Sequence, residues 1–200
     1  MFSERIIIMA KKQTNTREKI LKTSGKLLSQ RGYYGVSMSN IAKEMNFTKA
    51  SLYYHFKSKD ALVEELMKGS ITDLKKELQL SVEKSKLPSD IVFNIVKTIL
   101  DFKINHPEIS LLVSMGITTD KKVPILELMT ELRTDLIKFI RELFSGADLL
   151  RRFTYKAVFS FTTTILGFVL SPLHSGDRSS KKLANDFTSF LLSGSESNIK

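Results

Sequence analysis

The stretch SMSNIAKEMNFTKASLYYHFKSKDAL, residues 37–62, combines two helix-start signals with adjacent tyrosines and several lysines. Ser37 and Thr48 each precede a short apolar pattern, as helix N-caps do. Asn46 lies between the two patterns, where a left-handed backbone is expected and Asn is tolerated better than a β-branched residue. The stretch therefore predicts two short helices joined by a tight turn.

The predicted helices cover residues 37–45 and 48–54, with the small side chain of Ala42 where they approach and with Met45 and Leu52 facing inward. Two short helices held by a preceding amphipathic helix form a helix-turn-helix, whose second helix enters the major groove of DNA. We therefore expect residues 48–54 to be a DNA-reading helix.

Helical patterns continue on both sides of this motif. One begins at Asn15, a predicted N-cap, and stops at Gly32. After Ser58, apolar residues recur in steps of three and four, which predicts one long helix carrying Val63, Met67, Ile71, Leu74, Leu78 and Val82. Further helical patterns cover residues 89–105, 108–118, 123–144, 148–171 and 179–193. The sequence thus predicts an all-α chain of about nine helices.

The positive charge is concentrated near the N-terminus. The chain has a net charge of +10, and residues 1–60 hold 12 Lys and Arg against 4 Asp and Glu. Residues 61–200 hold 19 against 17. Such an uneven positive field favours a polyanion, either nucleic acid or an anionic membrane surface.

Enzymatic function is not indicated. The sequence contains no phosphate-binding glycine loop, no nucleophile-elbow motif and no spacing of metal ligands, so we expect no enzyme activity and no cofactor. The absence of cysteine excludes disulfides and a thiolate nucleophile, and it suits the reducing cytoplasm, where we expect the protein to act.

Two apolar stretches bear on membrane targeting. Residues 6–9 are too short for the core of an export signal, and we expect translation to begin at Met9. Residues 157–173 carry no charge, but hydroxyl-bearing side chains dilute their apolarity. We expect a buried or dimer-interface helix there, with a membrane span as the alternative.

The exposed residues of the second short helix suit duplex DNA. Hydroxyls at the helix start, with its N–H groups, can bond phosphate, while Lys49 and Tyr53 can reach base edges in the major groove. Lysines after the helix should neutralise phosphates. The predicted DNA contacts are Ser37, Ser39, Thr48, Lys49, Ala50, Ser51, Tyr53, Tyr54, His55, Lys57 and Lys59.

This stretch, together with the preceding TREKILKTSGKLLSQRGYYGVS, resembles the N-terminal domain of the tetracycline-repressor (TetR) family of transcriptional regulators. The IA of the first short helix, LYYHF and KSKDAL occur in the expected order and spacing. The resemblance covers about residues 15–66, a third of the chain. Two positions depart from the family pattern: Asn46 stands where Gly is usual, and Phe47 where Val or Ile is usual.

The resemblance implies a homodimer that binds an inverted-repeat operator, most often as a repressor, and releases it when a small, hydrophobic effector binds. Its reading helices would lie about 34–36 Å apart, in successive major grooves. The long helix after Ser58 would transmit the effector signal. A nucleoid-type protein that coats DNA without sequence choice is the alternative function.

Composition at the two ends predicts a flexible basic arm (1–14) and a disordered tail (194–200). Between them, the resemblance implies the DNA-binding domain (15–57) and a helical ligand-binding and dimerisation domain (58–193). Aromatic and methionine side chains suit a hydrophobic effector, and the candidates are Phe93, Phe102, Met115, Met129, Phe139 and Phe159. The candidates for the dimer interface, from the last two helices, are Phe161, Ile165, Phe168, Val169, Phe187, Phe190 and Leu191. Plain intrachain core is the alternative for both sets.

Overall fold

The computed structural model describes residues 2–83, 85, 87–115, 123–146, 180–182, 184–186 and 188–189. These residues form helices and their connections, with no β-strand among them, which confirms the all-α prediction for this part of the chain. None of the described helices is both long and apolar enough to cross a membrane. The chain divides into two compact units, Met1–Met67 and Lys68–Lys200.

Helix α1 spans Phe2–Arg31 and therefore starts well before the predicted N-cap at Asn15. Residues 2–14, for which the sequence predicts a flexible arm, are helical. The segment has no proline or glycine before Gly25, so a helix once formed gains one hydrogen bond for each residue added toward its start. Polar composition alone does not end a helix.

The connection after α1 needs glycine for two different reasons. Gly32 ends the helix, as predicted, with a φ of +69°, and its N–H donates to the Leu28 carbonyl at 2.8 Å. At Gly35, a Cβ atom would lie 2.2 Å from the Arg31 carbonyl oxygen, so the backbone must shift to admit any side chain. Between and after these glycines, Tyr33 and Val36 are buried.

Two short helices follow: α2 spans Met38–Glu44 and α3 spans Lys49–His55. The N-cap side chains are those predicted, since Ser37 accepts from the Asn40 N–H and Thr48 accepts from the Ser51 N–H. Helix α2 buries Met38, Ile41 and Ala42, whereas α3 buries only Leu52. Met45, predicted to face inward, is half-buried.

The turn between α2 and α3 has the predicted left-handed residue. Asn46 has a φ of 54°, and it is the one residue other than glycine with a positive φ in the described part of the chain. The next residue closes the turn, because the Phe47 N–H donates to the Ala42 carbonyl at 2.8 Å. The backbone thus reverses within a few residues and starts α3 directly after α2.

Helix α4 spans Lys59–Glu83, and Ser58 caps it as predicted by accepting from the Ala61 N–H at 3.0 Å. The predicted apolar stripe is buried from Val63 to Leu78, and Val82 at its end is half-buried. The division between the two units falls within this helix, after Met67, whereas the sequence places the domain boundary after Lys57. The difference arises because Leu62, Val63, Leu66 and Met67 are buried residues of the first unit.

The second unit contains α5 (Pro88–Asn105), a 3₁₀ helix (Pro107–Ser110), α6 (Leu111–Ser114) and α7 (Pro124–Gly146). The helical pattern predicted over residues 108–118 is divided between the 3₁₀ helix and α6, and residues 116–118 lie outside the described part of the chain. Pro107 opens a tighter turn in which the Ile109 N–H donates to the His106 carbonyl, and the α-helical part is short. Helical residues recur within 180–189, inside the predicted range 179–193, while the helix predicted over 148–171 lies outside the described residues.

The core of the second unit is mostly apolar, and its buried polar residues include Ser70 and Glu108. Buried side chains of α5 and α7 include Val92, Ile95, Met129 and Leu136. Glu108, only 6% exposed, accepts a hydrogen bond from Ser70 at 2.7 Å, and its carboxylate lies 3.2 Å from His106 Nδ1. His106 is the C-cap of α5, and its ring stacks on Phe102 at 4.1 Å between centroids.

The left-handed turn yields a first prediction. Replacing Asn46 with Val should lower the free energy of unfolding by about 1–2 kcal/mol, because a β-branched residue is strained at positive φ. Asn46→Gly, which relieves that strain, should be at least as stable as the native protein. Urea unfolding followed by circular dichroism measures both, and equal midpoints for the Val and Gly variants would contradict the role of this turn.

Candidate nucleic-acid interface

Helix α3 presents nearly all of its surface to solvent. Lys49, Ala50 and Ser51 are exposed, and the exposed fractions of Tyr53 and Tyr54 are 43% and 73%. Both tyrosines therefore present ring surface and a hydroxyl to solvent. The residues that the sequence predicts to contact DNA thus lie on the exposed part of this helix.

Two hydroxyls at the start of α3 share one hydrogen bond. Thr48 Oγ1 and Ser51 Oγ are 2.7 Å apart, and Thr48 Oγ1 also accepts from the Ser51 N–H at 3.0 Å. Each hydroxyl carries one proton, and their mutual bond uses only one of the two. The pair therefore caps the helix and retains one proton to donate to an oxygen such as that of a phosphate.

The Lys49 ammonium group lies along the exposed face of α3. Its Nζ atom is 5.9 Å from the centroid of the Tyr53 ring, one helical turn further on. This distance is within the range of a weak cation–π interaction, which favours one orientation of the flexible side chain. A positive charge and a flat ring are thereby presented together.

The end of α3 combines rings with a nearby charge. The Tyr54 and His55 rings meet edge to face, with centroids 5.3 Å apart, and His55 is half-buried. Lys57, two residues after the helix, is exposed. These three residues carry N–H or O–H donors, as groups that bind phosphate do.

The two serines predicted to contact DNA from α2 differ in their environment. The Ser37 hydroxyl donates to Asn40 Oδ1 at 2.6 Å while accepting from the Asn40 N–H at 3.1 Å. Its proton is therefore committed to the capping box. Ser39 is exposed on the first turn of α2.

Lys59 differs from Lys57 in what surrounds its ammonium group. Lys59 Nζ donates to the carbonyl oxygens of Tyr33 at 2.9 Å and Val36 at 3.0 Å, and it lies 3.8 Å from the centroid of the Tyr33 ring. Burial lowers its pKa, and neighbouring Asp60 partly offsets this effect. The role predicted for Lys59 in binding phosphate stays a prediction.

Tyr33 and Asp60 complete this group. The Tyr33 hydroxyl donates to the Asp60 carboxylate, and burial followed by this hydrogen bond raises the pKa of the tyrosine. The lysine, tyrosine and aspartate together join the α1–α2 connection to the first turn of α4.

Arg17 joins three elements of the first unit. Its Nε atom donates to Glu65 Oε1 at 2.6 Å, and Nη2 donates to Glu65 Oε2. Its Nη1 atom donates to the carbonyl oxygen of His55, the last residue of α3, at 2.6 Å. The guanidinium also lies 4.1 Å from the centroid of the buried Phe56 ring. Helix α1 is thus linked both to α4 and to the end of α3.

A family profile matches the part of the chain that contains these elements. Residues 20–66 match the profile described as bacterial regulatory proteins, tetR family. Over these residues the chain is similar to the TetR family. The resemblance inferred from the sequence is confirmed.

Among characterised TetR-like relatives, the chain is similar to the biofilm operon icaADBC HTH-type negative transcriptional regulator IcaR of Staphylococcus aureus (strain Newman). The two are 30% identical over 105 residues, which is 52% of this chain and 56% of IcaR. The chain thus spans about half the length of the curated relatives it matches.

Solved structures share the fold of this chain over a longer range. AibR in complex with isovaleryl coenzyme A and operator DNA is 21% identical, with a TM-score of 0.68 over 87% of this chain and 96% of that one. The fatty acid degradation regulator FadR of Bacillus halodurans is 12% identical, with a TM-score of 0.74 over 89% and 95%. At these identities the likeness establishes the fold.

The remaining predicted site residues belong to the second unit. Phe102, Met115 and Met129 are buried, Phe93 and Phe139 are half-buried, and Phe159 lies outside the described residues. All seven residues predicted for the dimer interface also lie outside them. Within the described part of the chain, no three His, Asp or Glu side chains are grouped as metal ligands.

Sequence reasoning missed Arg17, Tyr33, Asp60 and Glu65. Their partners are 27 to 48 residues away along the chain, so local periodicity contains no signal for them. One indication was present in the sequence. Arg17 belongs to the predicted first helix but has no acidic residue three or four positions away, so an ion-pair partner would have to come from another element.

The Arg17–Glu65 pair predicts acid sensitivity. The hydrogen bond from Arg17 lowers the pKa of Glu65 below its ordinary value of 4.5. The pair therefore contributes its full stability above about pH 4.5, and that stability is lost as the pH falls through the lower pKa of the folded protein. Arg17→Gln should lower the free energy of unfolding at pH 7 by about 1 kcal/mol, since both side chains are 40% exposed.

Urea unfolding at pH 7 and at pH 3 measures this effect. The difference between native protein and Arg17→Gln should shrink at pH 3. Lys22→Gln, on the exposed side of the same helix, is the matched control and should change little at either pH. A difference that is equally large at both pH values would contradict the role assigned to the Glu65 charge.

Proposed function

We propose that this protein is a sequence-specific DNA-binding transcriptional regulator of the TetR family, acting as a repressor that binds an inverted-repeat operator as a homodimer. The observation that carries the proposal is the exposed face of α3, where a lysine, hydroxyls and two tyrosines extend from a helix that buries only Leu52. Such an exposed set of hydrogen-bond donors, positive charge and rings is suited to contacts with phosphates and base edges.

Phosphate contacts would set the position of the helix on the duplex. The retained proton of the Thr48–Ser51 pair, the start of α3 and exposed Lys57 are suited to phosphate oxygens, and Tyr54 and His55 supply further donors. Ser39 could add a hydroxyl from α2. These contacts supply affinity for any duplex but carry no sequence information.

Base contacts would come from the outer face near the start of α3. Lys49 can donate to guanine O6 and N7, while Ala50 and the Tyr53 ring edge suit thymine methyl groups. The proximity of Lys49 to Tyr53 supports this assignment because it keeps the cation on the face that would enter the groove.

The second unit would receive a small, hydrophobic effector that lowers operator affinity. Support comes from its aromatic and methionine side chains, and from the isovaleryl coenzyme A bound in the AibR complex. Because α4 has residues in both units, it is the proposed connection between effector and DNA. A coupling of about 1–3 kcal/mol would change operator affinity by one to two orders of magnitude.

Specific binding should be measurable by selecting the operator from random DNA. A duplex selected from a random-sequence pool by the full-length protein should be an inverted repeat and should bind at least about 10³-fold more tightly than a mixed-sequence duplex. Fluorescence anisotropy at a fixed salt concentration measures the ratio. A ratio near one would favour the alternative, a protein that coats DNA without sequence choice.

Lys49 and Lys57 should differ in their effects on the selected duplex. Lys49→Ala should cost about 1–3 kcal/mol and relax the preference at particular base pairs. Lys57→Ala should weaken binding to all duplexes alike and lower the salt slope by about one unit. Equal effects of the two substitutions on sequence preference would contradict the division into base and phosphate contacts.

A further inference from the structure

We propose that Arg17 and Lys59 are positioning residues that hold the two ends of the α2–α3 segment by its backbone carbonyls, and that neither neutralises phosphate. The inference rests on the proposed DNA-binding function and assigns roles within it. It divides the cations of the N-terminal third into those that face DNA and those that orient the helix-turn-helix.

The entry of the segment is held by Lys59. The Val36 carbonyl immediately precedes Ser37, the N-cap of α2, and it accepts from Lys59 Nζ at 3.0 Å. The Tyr33 carbonyl accepts from the same atom at 2.9 Å. An ammonium group has three donors, so two of the three are already used within the protein.

The charge of Lys59 is also offset locally. Asp60 stabilises the ammonium charge and accepts from the hydroxyl of Tyr33, whose ring lies against Lys59 Nζ. To reach a phosphate, the ammonium group would have to give up its hydrogen bonds to the Val36 and Tyr33 carbonyls, of which the Tyr33 carbonyl keeps a second donor, the Val36 N–H at 3.4 Å. The loss of these two hydrogen bonds opposes the gain from an exposed phosphate contact.

The exit of the segment is held by Arg17. The His55 carbonyl is one of the last carbonyls of α3, which lack partners within the helix and carry the negative end of its dipole. Arg17 Nη1 donates to this oxygen at 2.6 Å, while its other edge is held by Glu65 of α4. The same guanidinium covers the ring of Phe56, the C-cap of α3.

Both ends need such support because the helices are short. Helices α2 and α3 have seven residues each, well below the length at which isolated helices are stable in water. Leu52 is the one side chain that α3 buries, so it alone does not define how the helix is rotated and tilted. The carbonyl contacts at residues 36 and 55 add the missing constraints.

The test compares matched cations in the full-length protein. Lys59→Met is paired with Lys57→Met, and Arg17→Gln is paired with Lys22→Gln. Binding constants are measured against salt concentration on two probes, a mixed-sequence duplex and a duplex selected by the native protein. Circular dichroism at the assay temperature selects conditions in which every variant is folded. Lys59→Gln, which keeps two N–H donors but no charge, replaces Lys59→Met if that variant does not fold.

Binding weakens as salt rises, so the slope of log K against log salt is negative. Lys57→Met should make this slope less steep by about 0.9. Lys59→Met and Arg17→Gln should leave that slope unchanged, yet lower the ratio of selected to mixed affinity by about tenfold, as a misplaced base contact does. Lys22→Gln should leave the selected-to-mixed ratio unchanged. A residue that only stabilises the fold would also leave this ratio unchanged in folded protein.

Two results would overturn the proposal. A slope loss for Lys59→Met or Arg17→Gln equal to that for Lys57→Met would identify the residue as a phosphate contact. An unchanged ratio in the folded variants would show that neither residue orients the reading helix. Failure of the native protein to prefer any selected duplex is a different outcome, because it would remove the proposed function while leaving the slope comparison on mixed duplex intact.

Discussion

Helix α3 buries only Leu52, and the first unit is organised around this constraint. Burying one leucine contributes about 1.5–3 kcal/mol, whereas ordering each residue of a helix costs about 1–2 kcal/mol of backbone entropy. The helix cannot form on that contact alone. Its neighbours hold it in place, by the left-handed turn at Asn46 on one side and by the buried Phe56 ring with Arg17 on the other. The other side chains of α3 are therefore not needed for packing and can contact another molecule.

Much of this arrangement was predictable because its signals are local. The caps at Ser37, Thr48 and Ser58 and the turn at Asn46 each depend on atoms within a few residues along the chain. The helix-turn-helix and its exposed residues follow from these signals. Local signals mislead at two places. The polar residues before Asn15 are compatible with a helix as well as with a flexible arm, and Pro107 is compatible with the start of a 3₁₀ helix as well as of an α-helix.

The long-range contacts were not predictable in the same way. In the sequence, Lys57 and Lys59 are equivalent cations two residues apart, and only the fold separates an exposed ammonium group from one bound to two carbonyls. The contact between Ser70 and buried Glu108 likewise joins residues 38 apart. For the residues predicted to bind an effector, the helical periodicity of apolar residues indicates only that they are buried. Burial does not distinguish the wall of a ligand pocket from ordinary core.

The continuity of α4 across the two units has a practical consequence for dissecting the protein. A fragment ended at Met67 would cut the helix in its third turn and leave its last four carbonyls without N–H donors, beside the buried side chains of Leu66 and Met67. Fraying of the helix from that cut would reach Glu65 and weaken its hydrogen bonds with Arg17. An excised N-terminal piece therefore needs several turns of α4 beyond the division in order to behave as it does in the whole chain.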